Sequence, residues 1–127
     1  MGSEVELSVV VPVYNGALTI ERVVNMVSAI HIEGGLEIIL VNDGSNDDSN
    51  AICAKLVEKA STPMTFIERA RNFGEHNAVM AGLRSAHGRY IVTIDDDLQH
   101  DPADISNLYR NCRENGLDVC YTFWDKK

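Results

Sequence analysis

The 127-residue sequence predicts an α/β domain, a mostly parallel sheet with helices on both faces. Three observations carry that expectation. Short apolar runs alternate with stretches whose apolar residues recur at helical spacing, in the order β-α-β-α-β-α-β-α-β. The first runs are almost continuously apolar and β-branched, as in parallel strands covered on both faces. Polar clusters follow four of the strands, at Tyr14-Asn15, Asn42-Asp43, Arg69 to Asn72 and Asp95 to Asp97. In a parallel sheet those strand ends share one edge, the edge where open α/β sheets bind ligands.

Leu7 to Val13 reads Leu-Ser-Val-Val-Val-Pro-Val, a buried first strand. Pro12 has no N–H to donate, so pairing should fail there. Tyr14-Asn15-Gly16 is a turn, and from about Ala17 the spacing of Ile20, Val23, Val24, Val27 and Ile30 predicts a helix. After Gly34-Gly35, Leu36 to Val41 is the second strand. Ser45 with Asp48 has the form of a capping box for a second helix whose inward residues are Ile52, Cys53, Leu56 and Ala60. Met64 to Glu68 is a short third strand. Gly74 to Ala86 reads as a helix with Val79, Leu83 and Ala86 inward, stopped by Gly88 as a residue that tolerates left-handed backbone. Tyr90 to Asp95 is the fourth strand. Asp101-Pro102 fits an N-cap and first helical position, ahead of an inward stripe of Ile105, Leu108 and Cys112 ended by Gly116. Asp118 to Phe123 is the last strand.

Length and composition suit a single domain over residues 1–127, with 45% apolar and 24% charged residues. The net charge of −8 argues against a nucleic-acid-binding surface, which needs a basic face. It leaves a phosphorylated ligand open, because local cations can offset local anions. No apolar run approaches the ~20 residues that span a bilayer, and no signal-peptide pattern opens the chain. Cys53, Cys112 and Cys120 are odd in number and widely spaced, and read as reduced thiols of a cytoplasmic protein. Met1-Gly2-Ser3 reads as an expression scar and is left out of the fold expectation.

The most informative stretch is the fourth strand and its end, Tyr90 to Pro102. Three adjacent carboxylates repel one another unless a cation or hydrogen-bond donors answer them. Mg²⁺ and Mn²⁺ favour oxygen ligands, commonly one or two carboxylates with substrate phosphates. A metal–diphosphate site on Asp95 and Asp97 is therefore one reading, and a solvated acidic turn capping the next helix is the other. Asp43 either bonds its own turn, as Asx side chains do, or accepts from a nucleobase or ribose. Asn42 reads as structural. Arg69 and Arg71 offer forks suited to phosphate, with a solvated surface role as the alternative for either one. His76 and His100 are weaker candidates. No Gly-rich phosphate loop and no G-x-G-x-x-G follows the first strand, so diphosphate would be held chiefly by metal.

Val9 to Asn15, Val41-Asn42-Asp43-Gly44-Ser45 and Asp95-Asp96-Asp97 together resemble the nucleotide-binding half of family 2 glycosyltransferases, which have the Rossmann-like GT-A fold. The run Arg71 to Leu83 with Asp97-Leu98-Gln99 is similar to the branch that moves sugars onto polyprenyl phosphates, the dolichol-phosphate mannosyltransferase-like enzymes. The resemblance covers nearly the whole chain. It implies that Asp43 bonds the base of a UDP- or GDP-linked sugar and that Pro12 and Tyr14 line the base pocket. It further implies that Arg71 approaches the diphosphate, that Asp97 holds Mg²⁺ or Mn²⁺, and that Asp95 faces the ribose or metal.

Two positions depart from the pattern. Gly16 stands where the branch often has an acid, and Asn42 replaces a common Asp. Family members usually carry a further stretch after the D-x-D with the acceptor site and, where one is needed, the general base. The chain is accordingly expected to be a nucleotide-sugar-binding part that lacks the acceptor half. The implied acceptor is a polyprenyl phosphate or a glycan, with peripheral membrane association of a longer protein. Apolar surface left by the missing half would favour a homodimer. A haloacid-dehalogenase-like phosphatase and a noncatalytic nucleotide- or partner-binding module are the competing readings.

Overall fold

The computed structural model describes residues 5–71, 74–94, 102–116 and 119–121. Nine elements follow in the expected alternation. Strand β1 is Leu7–Val13, helix α1 Ile20–Ser28, strand β2 Leu36–Asp43, helix α2 Ser49–Lys59 and strand β3 Met64–Arg69. Helix α3 is Glu75–Ser85, strand β4 Tyr90–Thr93, helix α4 Pro102–Glu114 and strand β5 Val119–Tyr121. The sheet order is β3-β2-β1-β4-β5, and every recorded pairing is parallel. The chain leaves β1 toward β2 on one side and returns to β4 on the other, so the topological switch point lies between β1 and β4.

Burial explains why these runs are strands. All eight residues of β2 are buried, as are all of β1 except the half-buried Pro12. Leu7, Val9, Val11 and Val13 join Ile38 and Leu40 on one face, under Ile20, Val23 and Val27 of α1, Cys53 of α2 and Ile105 of α4. Val10, Ile39 and Val41 face the other way and pack against Ala78 of α3. Helices α1, α2 and α4 thus cover one face and α3 the other. The units β1–α1–β2, β2–α2–β3 and β3–α3–β4 therefore share one hand. The β4–α4–β5 unit steps outward with its helix on the α1 face and has the opposite hand, a departure from the near-universal right-handed crossover.

Several expectations change. Residues 17–19 form a turn, and α1 begins only at Ile20. Helix α3 turns Ala78 and Gly82 inward, with Val79 and Leu83 half-buried on its flanks. A Cβ on Gly82 would lie 2.4 Å from Val10 Cγ1, so only glycine allows so close an approach to the sheet. Gly88 serves the same purpose, not a left-handed turn. Its Cβ would meet the Ser8 backbone nitrogen at 2.6 Å, and α3 ends at Ala86 in extended backbone. The described part of the fourth strand ends at Thr93, and that of the last strand is Val119–Tyr121, with the rest of the expected Asp118 to Phe123 outside the described residues. Cys53 and Cys112 are buried and outside any disulfide, as expected; the side chain of Cys120 lies outside the described residues.

Pro12 behaves as two half-expectations. The Tyr90 N–H donates to Glu6 O and the Ile94 N–H to Val10 O, so alternate residues of β1 address β4, and Pro12 is next in that series. The recorded pairing with β4 ends at Val10↔Thr93. Toward β2 it continues past the proline to Val13↔Asn42. The tip of β1 is therefore held on its β2 side alone among the described residues.

Candidate functional site

The carboxyl ends of β1, β2 and β3 bring Pro12, Tyr14, Asp43 and Arg71 to one edge of the sheet, with β1 beside the switch point and β3 farthest from it. Tyr14 is 45% exposed just beyond β1, and Arg71 is exposed two residues beyond β3. Asp43, the last residue of β2, is only 3% exposed. A buried carboxylate needs donors. One oxygen of Asp43 accepts the Gly74 N–H at 2.9 Å, and the other lies 3.6 Å from Arg69 Nε. Arg69 also donates through Nη1 to the Asn77 carbonyl at 2.7 Å. Arg69, a phosphate candidate by sequence, is thus engaged with the β2 terminus and the first turn of α3. His76 stands exposed in that same turn. Asp95, Asp97 and His100 lie outside the described residues. Among the described residues no group of three His, Cys, Asp or Glu gathers as a metal would require.

The β1–α1 and β2–α2 connections are laced together by side chains. The Asn15 N–H donates to Ser45 Oγ at 2.9 Å, the Gly16 N–H to Ser49 Oγ at 2.9 Å, and the Ala17 N–H to Asp47 Oδ2 at 3.1 Å. In return the Asn46 N–H donates to Asn15 Oδ1 at 2.8 Å. Asn15 holds a left-handed conformation, φ 52°, which asparagine tolerates better than most residues. Asp47 Oδ1 also accepts the Ser49 N–H at 2.9 Å. Desolvation works to raise the Asp47 carboxyl, but the hydrogen bonds from Ser49 and Ala17 outweigh it and hold the pKa below its ordinary value.

The capping box anticipated at Ser45 is not formed. The residue before α2 is Asp48, without a side-chain cap bond, and the Ser45 hydroxyl instead donates to Asn42 Oδ1 at 2.5 Å. Asn42 is structural in this sense, 2% exposed and spent on Ser45. Among the lacing residues, Asn15 and Ser45 entered the sequence reading only within strand-end clusters and motifs, and Asp47 and Ser49 were not singled out at all. The available signal was a density of short side-chain oxygens in two loops that a parallel sheet must place side by side.

This lacing has a chemical consequence. Three successive amides of the β1–α1 loop, of the kind that cradle phosphate in many nucleotide sites, are spent on the protein's own oxygens, one of them a carboxylate. The loop suits a base or ribose beside Tyr14 better than a diphosphate. An open groove of about 510 Å³, lined by residues including His31, Glu33 and Pro63, lies at the opposite edge of the sheet, away from these groups.

A model of the family described as "Glycosyl transferase family 2" matches residues 8–127. The chain is 36% identical over 118 residues to an undecaprenyl-phosphate 4-deoxy-4-formamido-L-arabinose transferase of Pseudomonas syringae pv. syringae, covering 91% of this chain and 35% of that protein. The chain thus spans about a third of the length of the curated relatives it matches. Among solved structures, S. aureus TarS 1-349 in complex with UDP-GlcNAc matches with a TM-score of 0.71 at 21% identity, over 87% of this chain and 32% of that one, a likeness of fold. The mannosyltransferase PcManGT from Pyrobaculum calidifontis, in complex with GDP-Man and Mn²⁺, matches with a TM-score of 0.67 at 26% identity, over 74% of this chain and 28% of that one.

Proposed function

The chain belongs to glycosyl transferase family 2 and has the GT-A fold, and from that premise we propose that it is the donor-binding part of a polyprenyl-phosphate glycosyltransferase. The donor is a nucleoside diphosphate sugar. The family match sets aside the phosphatase reading. The observation that carries the proposal is the buried Asp43 carboxylate at the carboxyl edge of the sheet, between the Tyr14 loop and the β3–α3 connection. Arg69 and Gly74 hold that carboxylate in place, and a carboxylate is the acceptor that the N–H groups of a base call for. Pro12 and Tyr14 line the base pocket, and Arg71 approaches the diphosphate. The polyprenyl-phosphate acceptor is suggested by the relative that is 36% identical, which is named for such an acceptor.

Asp97 and Asp95 would hold Mn²⁺ or Mg²⁺, with Asp95 facing the ribose or metal. The donor set fits, being two carboxylates suited to a hard cation. A cation is also what a diphosphate needs where the neighbouring loop amides are already spent. When bound, the metal supplies Lewis-acid stabilisation of charge on the departing nucleoside diphosphate.

In the reaction, an acceptor oxygen bonds to the anomeric carbon from the face opposite the diphosphate. The carbon–oxygen bond to the diphosphate breaks, its electron pair leaves with the phosphate, and the centre inverts. A phosphate acceptor is already anionic at neutral pH, so little general-base help is needed. No helix among the described residues is long and apolar enough to cross a membrane. A lipid acceptor places the working protein peripherally at the cytoplasmic membrane surface. Homodimerisation is part of the same proposal, and light scattering reads it directly.

The test is a thermal-shift titration of the chain with UDP and GDP, each with and without Mn²⁺, for wild type and Asp97→Asn. Stabilisation should need nucleotide and metal together and vanish in the variant. At about 100 times the dissociation constant it should reach roughly 2.7 kcal/mol. If neither diphosphate shifts the wild type, the donor-site reading is overturned.

A further inference from the structure

We infer that Asp47 is a positioning residue for the nucleotide, fixing the β1–α1 loop in the shape that presents Pro12 and Tyr14 to the base. The inference rests on the donor-site reading and adds to it a residue that does not itself touch the ligand. The starting observation is the one-sided support of β1. Its recorded pairing with β4 ends at Val10, and beyond that point β2 alone pairs with it among the described residues. Tyr14 lies past the last β2 partner, Val13↔Asn42. The contacts that grip the residues following it therefore help to set its place.

Those residues are gripped through Asn15, Gly16 and Ala17, whose N–H groups go to Ser45, Ser49 and Asp47 in turn. Asp47 is the only charged member of the three. It spans two elements, with one oxygen on the Ala17 N–H and the other on the Ser49 N–H at the start of α2. Ser49 in turn takes the Gly16 N–H, so Asp47 braces two of the three contacts, one directly and one by seating Ser49. Hydrogen bonds to an ionised acceptor are stronger than those to a hydroxyl. Removing this carboxylate should loosen the loop more than removing either serine hydroxyl. Asp47 is itself exposed and lies outside both apolar clusters, so its loss leaves the core packing intact.

The same bonds would help stability if nothing bound here, and the choice of probe separates the two roles. Uridine, guanosine, UDP, GDP and Mn²⁺–pyrophosphate are titrated by calorimetry, well below the melting temperature, into wild type, Asp47→Ala and Asp47→Asn. Asp47→Ala should weaken the preferred nucleoside and its diphosphate by about tenfold, the scale of a lost charged hydrogen bond, and leave Mn²⁺–pyrophosphate within about twofold. Asp47→Asn keeps one acceptor oxygen and should fall between. Unchanged nucleoside affinity in a folded Asp47→Ala overturns the inference, as does a parallel loss of pyrophosphate affinity, which would signal general loosening. If wild type binds neither UDP nor GDP, the donor-site reading falls and the inference with it. Wild-type binding with an indifferent Asp47→Ala removes the inference alone.

Discussion

The two edges of the sheet both carry polar networks, one largely buried and one largely exposed, and they are built differently. At the amino edge Glu37, 5% exposed, accepts the Ser8 hydroxyl at 2.6 Å and the His87 N–H at 2.6 Å, with His87 Nδ1 3.2 Å from its second oxygen. Ser8 Oγ accepts the Gly88 N–H at 2.8 Å. Nearby, Tyr109 donates to Glu6 at 2.7 Å while its ring meets Tyr90 edge-on. These bonds fasten the α3–β4 connection and α4 to the first residues of the sheet. At the carboxyl edge the bonds run from loop to loop, and their effect is to hold Tyr14 and Asp43 beside the switch point. One network closes on itself. In the proposed reading the other presents groups to a ligand. Burial of a charge does not by itself mark a functional site; the proposal rests on Asp43 lying at the carboxyl edge, where open α/β sheets bind ligands.

The largest expected effect separates the edges outright. Glu37→Ala strands the Ser8 and His87 donors in a buried setting and should cost about 3 kcal/mol of stability. That is a fall of roughly 12 °C in melting temperature for a domain of this size. Nucleotide affinity measured below the transition should be unchanged, and a matching loss of affinity would show that the edges are coupled.

Gly88→Ala attacks the amino edge sterically. A Cβ 2.6 Å from backbone has nothing flexible to displace, and a cost of about 2 kcal/mol is expected in denaturant midpoints. Asp43→Asn probes the other edge: the amide still offers an oxygen to the Gly74 N–H, so stability should move little. Nucleotide affinity should drop about tenfold, or about 1.4 kcal/mol. A Tm loss as large as that of Glu37→Ala would instead mark Asp43 as structural.

The pH dependence sharpens the contrast further. Burial works to raise the Glu37 carboxyl, but the Ser8 hydroxyl and the His87 N–H and ring outweigh it and hold the pKa below its ordinary 4.5. A depressed carboxyl contributes stability above its unfolded value and loses it as pH falls through the folded one. The stability gap between wild type and Glu37→Gln should therefore be full at neutral pH and close below about 4.5. A gap that is flat with pH in urea melts would contradict this. Asn15→Gly is the smallest test. It keeps the left-handed backbone and gives up the bond from Asn46, so less than about 1 kcal/mol should be lost.

Much was determined by sequence alone. The bounds of β1, the alternation of elements, the buried second strand and the family follow from local apolar runs, helical spacing and short motifs, and these survive whatever surrounds them. Asp43 was legible as a candidate because it belongs to a polar cluster that ends a strand at the carboxyl edge of a parallel sheet. What answers it was not legible: Arg69 and Gly74 come from another connection 26 and 31 residues away. The spacing of Ser45 and Asp48 pointed to a cap, but the hydroxyl bonds Asn42, three residues back, and accepts the Asn15 N–H once β1 and β2 lie side by side. Gly82 and Gly88 look like helix punctuation until the sheet is placed under them. Val79 and Leu83 carry the stronger apolar signal, yet Ala78 and Gly82 face inward because α3 lies close enough to the sheet that only small residues fit. Periodicity records which residues avoid water. Tertiary structure alone decides how near two elements come and which donor reaches which oxygen, because those depend on distances between segments remote in sequence.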